Sequence, residues 1–177
     1  MSLGLYLHIP YCFSKCRYCD FYSHPGERGV PDAYVDALLR ELSRFAPEAP
    51  LQPDTLYFGG GTPSLLRPEQ AKRLIDAARP MPGAEITLEA NPETVTEESL
   101  AGFREAGVNR ISFGVQSARD TQLRTLGRPH TAKQARAAFA AAQRAGFTNI
   151  SGDIMLALPH YTCLLYTSDA ADDGESV

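Results

Sequence analysis

The sequence predicts an α/β fold built on a parallel sheet. Three observations predict it: short apolar strands alternate with amphipathic helices along the chain, glycine and proline punctuate each junction, and one helix–glycine–strand unit occurs twice. Ala106-Gly107-Val108-Asn109-Arg110-Ile111-Ser112 is echoed by Ala145-Gly146-Phe147-Thr148-Asn149-Ile150-Ser151. Strict βα alternation with right-handed crossovers gives a parallel sheet, either open and doubly wound or curled into a barrel. Spacing alone does not separate the two.

Each element follows from a local pattern. Leu3, Leu5, Leu7 and Ile9 share one face and Tyr6 and His8 the other, which marks a strand over residues 3–9. Pro31 opens a helix with Val35, Leu38, Leu39, Leu42 and Phe45 at helical spacing, and Pro47 closes it. Residues 55–58 form the second strand, broken by Gly59, Gly60 and Gly61. Pro68 starts a helix with Ala71, Leu74, Ile75 and Ala78 on one face, and residues 85–89 form the third strand. Thr96 caps the next helix, with Glu97 and Glu98 well placed in its first turn. Gly107 stops it before the fourth strand at 110–114. A short helix at 120–126 and a longer one at 131–145 precede the fifth strand at 150–155.

Composition narrows the class. With 44% hydrophobic and 21% charged residues in 177, the chain reads as a soluble globular protein with one sizeable core. Residues 1–11 lack the basic start and apolar stretch of a signal peptide, and no apolar run is long enough to span a bilayer, so a cytoplasmic location is expected. The net charge of −4 comes from Asp169, Asp172, Asp173 and Glu175 in the last nine residues; the rest of the chain is balanced. There is no basic tract, so nucleic acid is not an expected partner.

The chemistry concentrates after the first strand. Cys12-x3-Cys16-x2-Cys19 places three thiols within eight residues, which suggests a metal site more than disulfides. Thiolates suit zinc or iron–sulfur clusters. A structural zinc site needs four ligands, and His24, five residues on, is the one nearby candidate. A [4Fe–4S] cluster normally takes four cysteines, so three leave one iron open, which suggests chemistry rather than scaffolding. Gly59-Gly60-Gly61-Thr62-Pro63 lets a ligand approach backbone N–H groups closely. It lacks the Lys-Ser or Lys-Thr pair of a phosphate loop, which excludes the nucleoside-triphosphate reading. Glu89, Gln116 and Asp153 each fall near the C-terminal end of a strand, the edge that holds active sites in parallel barrels.

The cysteine spacing directly after a strand ending His8-Ile9-Pro10 resembles the signature loop of radical S-adenosylmethionine (SAM) proteins. The wider set Tyr6-Leu7-His8-Ile9-Pro10, Phe58-Gly59-Gly60-Gly61-Thr62-Pro63-Ser64-Leu65-Leu66, Glu89-Ala90-Asn91-Pro92, Asn109-Arg110-Ile111-Ser112, Gly114-Val115-Gln116-Ser117, Leu126-Gly127-Arg128 and Asp153-Ile154-Met155 resembles the HemW heme chaperones and the related oxygen-independent coproporphyrinogen III oxidases. The resemblance covers nearly all of residues 3–162. It implies a partial (β/α) barrel of about five strands, where the family barrel has six.

By that resemblance Cys12, Cys16 and Cys19 hold a [4Fe–4S] cluster whose open iron chelates SAM, and one electron cleaves SAM to a radical that abstracts hydrogen. Tyr18 is similar to the residue that packs on the adenine. Tyr6, Gly61, Glu89 and Asp153 correspond to SAM contacts. Gly60, Thr62, Gln116 and Arg128 correspond to residues facing SAM or a second ligand place. His130 reads as a surface-loop histidine, and His160 has no assignment. The oxidases carry a fourth cysteine where this chain has Phe21, and a longer segment before the first strand. Both departures point to the chaperone branch, with coproporphyrinogen III dehydrogenation as the alternative. The expected partners are heme or a porphyrin, an electron donor such as flavodoxin or ferredoxin, and respiratory-chain apoproteins.

After Thr162 the pattern stops. The string from Cys163 to Asp172 resembles a translated transposon sequencing adapter. Residues 1–162 are therefore expected to be an incomplete radical SAM core and 163–177 a non-native tail, with Cys163 no ligand.

Overall fold

The computed structural model describes residues 2–45 and 51–156. His160 and the tail at 163–177 lie outside the described residues.

Five strands, β1 (Gly4–Ile9), β4 (Thr55–Gly60), β5 (Glu85–Ala90), β6 (Arg110–Gln116) and β7 (Asn149–Ile154), form one sheet in the order β1-β4-β5-β6-β7, every pair parallel. Sequential order without a reversal is the winding of a barrel wall; a doubly wound sheet reverses at a switch point. A second, two-stranded pairing of β2 (Tyr11–Cys12) with β3 (His24–Pro25) folds the cysteine segment back on itself, which the sequence pattern did not reveal. Helices α1 (Asp32–Phe45), α2 (Pro68–Ala78), α3 (Glu97–Ala106), α4 (Asp120–Leu126) and α5 (Ala132–Arg144) occupy the crossovers. The repeated unit is realised literally: Arg110, Ile111 and Ser112 pair in register with Asn149, Ile150 and Ser151.

Alternation on the strands separates two environments. Leu7, Ile9, Leu56, Phe58, Ile86, Leu88, Ile111 and Phe113 are buried in the hydrophobic core with Leu74, Leu100 and Phe103 of the helices. Burial of each such side chain contributes about 1.5–3 kcal/mol before entropy is counted. The alternate strand positions, Tyr6, His8, Tyr57, Glu89, Arg110, Ser112, Ser151 and Asp153, make a polar inner wall. It is tied together across strands by Arg110 to Thr87 Oγ1 (3.2 Å) and Ser151 Oγ (3.0 Å), and by Ser151 Oγ to Ser112 Oγ (2.9 Å).

The glycines do not break the second strand as expected. Gly59 and Gly60 stay in the ladder opposite His8 and Ile9. They are needed there because aromatic rings crowd the inner wall: a Cβ on Gly59 would lie 2.8 Å from the Tyr6 ring. The fourth strand also runs longer than its sequence pattern, to Gln116, through a register irregularity between Phe113 and Gln116. Helix starts follow their capping chemistry. Thr96 accepts from the Ser99 N–H (3.1 Å) while Ser99 Oγ accepts from the Thr96 N–H (2.9 Å), and Thr131 and Gln134 repeat the reciprocal pair. Ile154 and Leu156, at the end of the described chain, are exposed.

Candidate functional site

One cavity at the C-terminal edge of the sheet is lined by Cys12, Cys16, Tyr18, Cys19, Gly60, Gly61, Thr62, Glu89, Gln116, Arg128 and Asp153. Strands separated by tens of residues deliver these side chains because each ends at the same edge. Tyr6 does not line this cavity; its half-exposed ring stacks on Tyr57 (centroids 5.9 Å apart, planes 15° apart). His24 is exposed and does not line it either; its ring lies against Tyr22 and Tyr11.

The cysteine loop is anchored by main-chain bonds to the glycine turn. Gly61 N–H donates to Ile9 O (2.9 Å) and Thr62 N–H to Tyr11 O (2.8 Å). Gly61 admits no side chain: a Cβ would lie 2.6 Å from Tyr11 O and 2.9 Å from Ile9 O. Gly60 has φ 113°, a conformation L side chains rarely adopt, and a Cβ there would strike the His8 ring.

Arg128 organises the polar side of the cavity. Nearly buried, it donates from Nη2 to Asn91 Oδ1 (2.6 Å) and Gly114 O (2.5 Å), and from Nη1 to Cys16 Sγ (3.3 Å). Asn91 Nδ2 continues to Thr62 Oγ1 (3.1 Å), and Thr62 Oγ1 to Cys12 Sγ (3.7 Å). Burial works against the guanidinium's charge, but Tyr18, Cys16 and Glu93 raise its pKa above the ordinary arginine value. Burial is also the main reason the Tyr18 hydroxyl is pushed up to about 12, so it stays protonated.

Glu89 is held from two sides. Oε1 accepts from Tyr57 Oη (2.9 Å) and Oε2 from the Gly60 N–H (3.1 Å). Gln116 adopts φ 68°, in the left-handed region, at the irregularity that ends β6. A non-glycine residue held there is strained, and such strain clusters at ligand sites.

Sequence reasoning missed three participants. Asn91 lies within a recognised motif but carried no role. Tyr57 carries no signal beyond its place on the second strand; its pairing with Tyr6 is a property of the fold. His130 was misread: it is not a surface-loop residue but is 2% exposed, with Nδ1 3.1 Å from Glu93 Oε2 and Nε2 3.0 Å from Val115 O. The loop it sits on is turned inward by the end of α4, which the local sequence does not signal.

The donor set suits a thiolate-bound cluster. Three free cysteines line one cavity, Cys12 buried and Cys16 and Cys19 half-buried. Among the described residues no three His, Cys, Asp or Glu side chains converge on a single metal-ion position. A cubane does not require that convergence, because each thiolate binds a different iron.

A family model described as the radical SAM superfamily matches residues 6–162. The chain belongs to that superfamily. This radical SAM chain is 44% identical over 163 residues to the heme chaperone HemW of Escherichia coli, covering 89% of this chain and 43% of that protein. It is 41% identical over 164 residues to HemW of Bacillus subtilis, again covering 89% and 43%. Coproporphyrinogen III oxidase (HemN) from Escherichia coli, a radical SAM enzyme, superposes with a TM-score of 0.86 at 30% identity, covering 98% of this chain and 42% of that one. The radical SAM chain thus spans less than half the length of these relatives, and its five parallel strands match part of the radical SAM (β/α) barrel.

Proposed function

We propose that this chain is the radical SAM core of a HemW-type heme chaperone. The observation that carries the reading is the convergence of three free thiols, the Gly60–Gly61 turn and the polar set Glu89, Gln116, Arg128 and Asp153 on one cavity. Cys12, Cys16 and Cys19 would hold a [4Fe–4S] cluster, and Tyr18, Gly60, Gly61, Thr62, Glu89, Gln116, Arg128 and Asp153 would contact SAM, while Tyr6, outside this cavity, would act through its stack on Tyr57. Together these groups supply one-electron chemistry when bound.

The chain's own residues prepare that cavity. Tyr57 and the Gly60 N–H fix the Glu89 carboxylate, so it meets a cationic group without reorganising. Arg128 and Thr62 present donors to two of the three sulfurs; such bonds tune a cluster and orient its ligands. Phe21 is exposed at the cavity where the oxidase relatives carry a further cysteine, which favours heme delivery over porphyrinogen chemistry. The ligand would be heme, the recipients respiratory-chain apoproteins and the electron donor a flavodoxin or ferredoxin. Three free thiols suit a reducing cytoplasm.

The likeness to HemN favours a second reading, oxidative decarboxylation of coproporphyrinogen III. Two assays on the reconstituted protein separate them. The chaperone reading expects a Soret band on hemin addition, its transfer to an apocytochrome, and no carbon dioxide release from coproporphyrinogen III. Carbon dioxide release with no heme transfer would replace it by the oxidase reading.

A further inference from the structure

Arg128 and His130, two residues apart, grip the same two segments at neighbouring positions. Arg128 bonds to Asn91 and Gly114; His130 bonds to Glu93 and Val115. From this parallel geometry we infer that His130 is a positioning residue that holds Arg128 in the cavity, an inference that rests on the proposed reading of Arg128 as a SAM contact.

The hydrogen-bond inventory defines how the grip works. Both ring nitrogens of His130 face acceptors, the Glu93 carboxylate and the Val115 carbonyl. A neutral imidazole has a single N–H and would leave one acceptor facing another. The ring would satisfy both acceptors only by donating from both nitrogens. Burial would raise the Glu93 carboxyl, but the bond from His130, its own backbone N–H and the nearby Arg128 charge hold it below the ordinary value, so it is ionised. Both members are shielded, His130 completely so at its side chain.

A buried histidine–carboxylate contact specifies geometry, because each partner tolerates few alternative positions. Here it locks Pro92–Thr94 and the end of β6 to the loop that carries Arg128. Without it, the Arg128 loop retains a backbone anchor, Arg128 N–H to Leu123 O (2.8 Å), but loses the brace two residues further on.

The test compares wild type, His130→Ala and Glu93→Gln after anaerobic reconstitution, with SAM as titrant in equilibrium dialysis. It is repeated in an Arg128→Ala background. In parallel, phenylglyoxal modification of Arg128 is followed by peptide mass mapping without SAM. His130→Ala should keep its iron and sulfide, lose about tenfold in SAM affinity, and show no further loss once Arg128 is absent. Arg128 should be modified several-fold faster in both single variants. Unchanged protection of Arg128, or an equal affinity loss with and without Arg128, would overturn the inference. If wild type bound no SAM, the reading of Arg128 as a SAM contact would fail, while the modification rates would still decide whether His130 holds it. If His130→Ala does not fold, Glu93→Gln, which keeps the side-chain shape, decides by the same readouts.

Discussion

The phenol of Tyr57 donates a 2.9 Å hydrogen bond to Oε1 of Glu89 from one strand to the next across the inner wall. Burial first, then Glu89 itself, push the Tyr57 hydroxyl well above the ordinary tyrosine value, so it remains a donor. Tyr57→Phe keeps the stack on Tyr6 and removes only this bond. We expect a stability loss of about 1 kcal/mol by urea unfolding, together with weaker SAM binding. Unchanged binding would mean that the Gly60 N–H alone orients Glu89.

Gln116 trades stability for placement. Its φ of 68° costs about 1–2 kcal/mol relative to a glycine. Gln116→Gly should therefore raise the thermal midpoint while reducing SAM affinity. A lower midpoint would show that the side chain's packing outweighs the backbone strain.

Gly61→Ala drives a methyl group into the backbone of Tyr11 and Ile9. Backbone cannot yield as a side chain tip does, so the turn must move, at a cost of about 1–3 kcal/mol. Because the same turn anchors the start of the cysteine loop, iron content after reconstitution should fall. Full iron loading in this variant would show that the anchor is dispensable.

Much of this is legible in the amino-acid sequence. Strand alternation separates core from inner wall from Leu5 to Ile9, though Leu3, ahead of the strand, is exposed, and the Ala106–Ser112 echo anticipates two neighbouring strands that pair in register. Glu89, Gln116, Asp153, the glycine turn and the cysteine loop are marked by their place at strand ends, where a parallel sheet brings them together, whereas Tyr18 and Arg128 come from the resemblance. What remained hidden depends on three dimensions. Gly59 looks like a breaker until the Tyr6 and Tyr57 rings are seen to need its missing Cβ. His130 looks like a loop residue until Glu93, 37 residues away, is brought against it.

The Glu93 carboxyl gives a pH signature. Its folded value lies below the ordinary 4.5, so the stability it contributes is complete above that value and is lost as pH falls through the lower folded value. The stability difference between wild type and Glu93→Gln should shrink as pH falls below about 4.5. A difference that stays constant into the acid unfolding range would show that the Glu93 carboxylate contributes no stability through this contact.

The most direct test of the central claim is an anaerobic reconstitution with iron and sulfide, followed by electron paramagnetic resonance of the dithionite-reduced protein with and without SAM. The account predicts a [4Fe–4S] signal that SAM perturbs, because three cysteines leave one iron open, and its complete loss in Cys16→Ala. A variant that keeps full iron and sulfide, or a wild-type signal indifferent to saturating SAM, would contradict it.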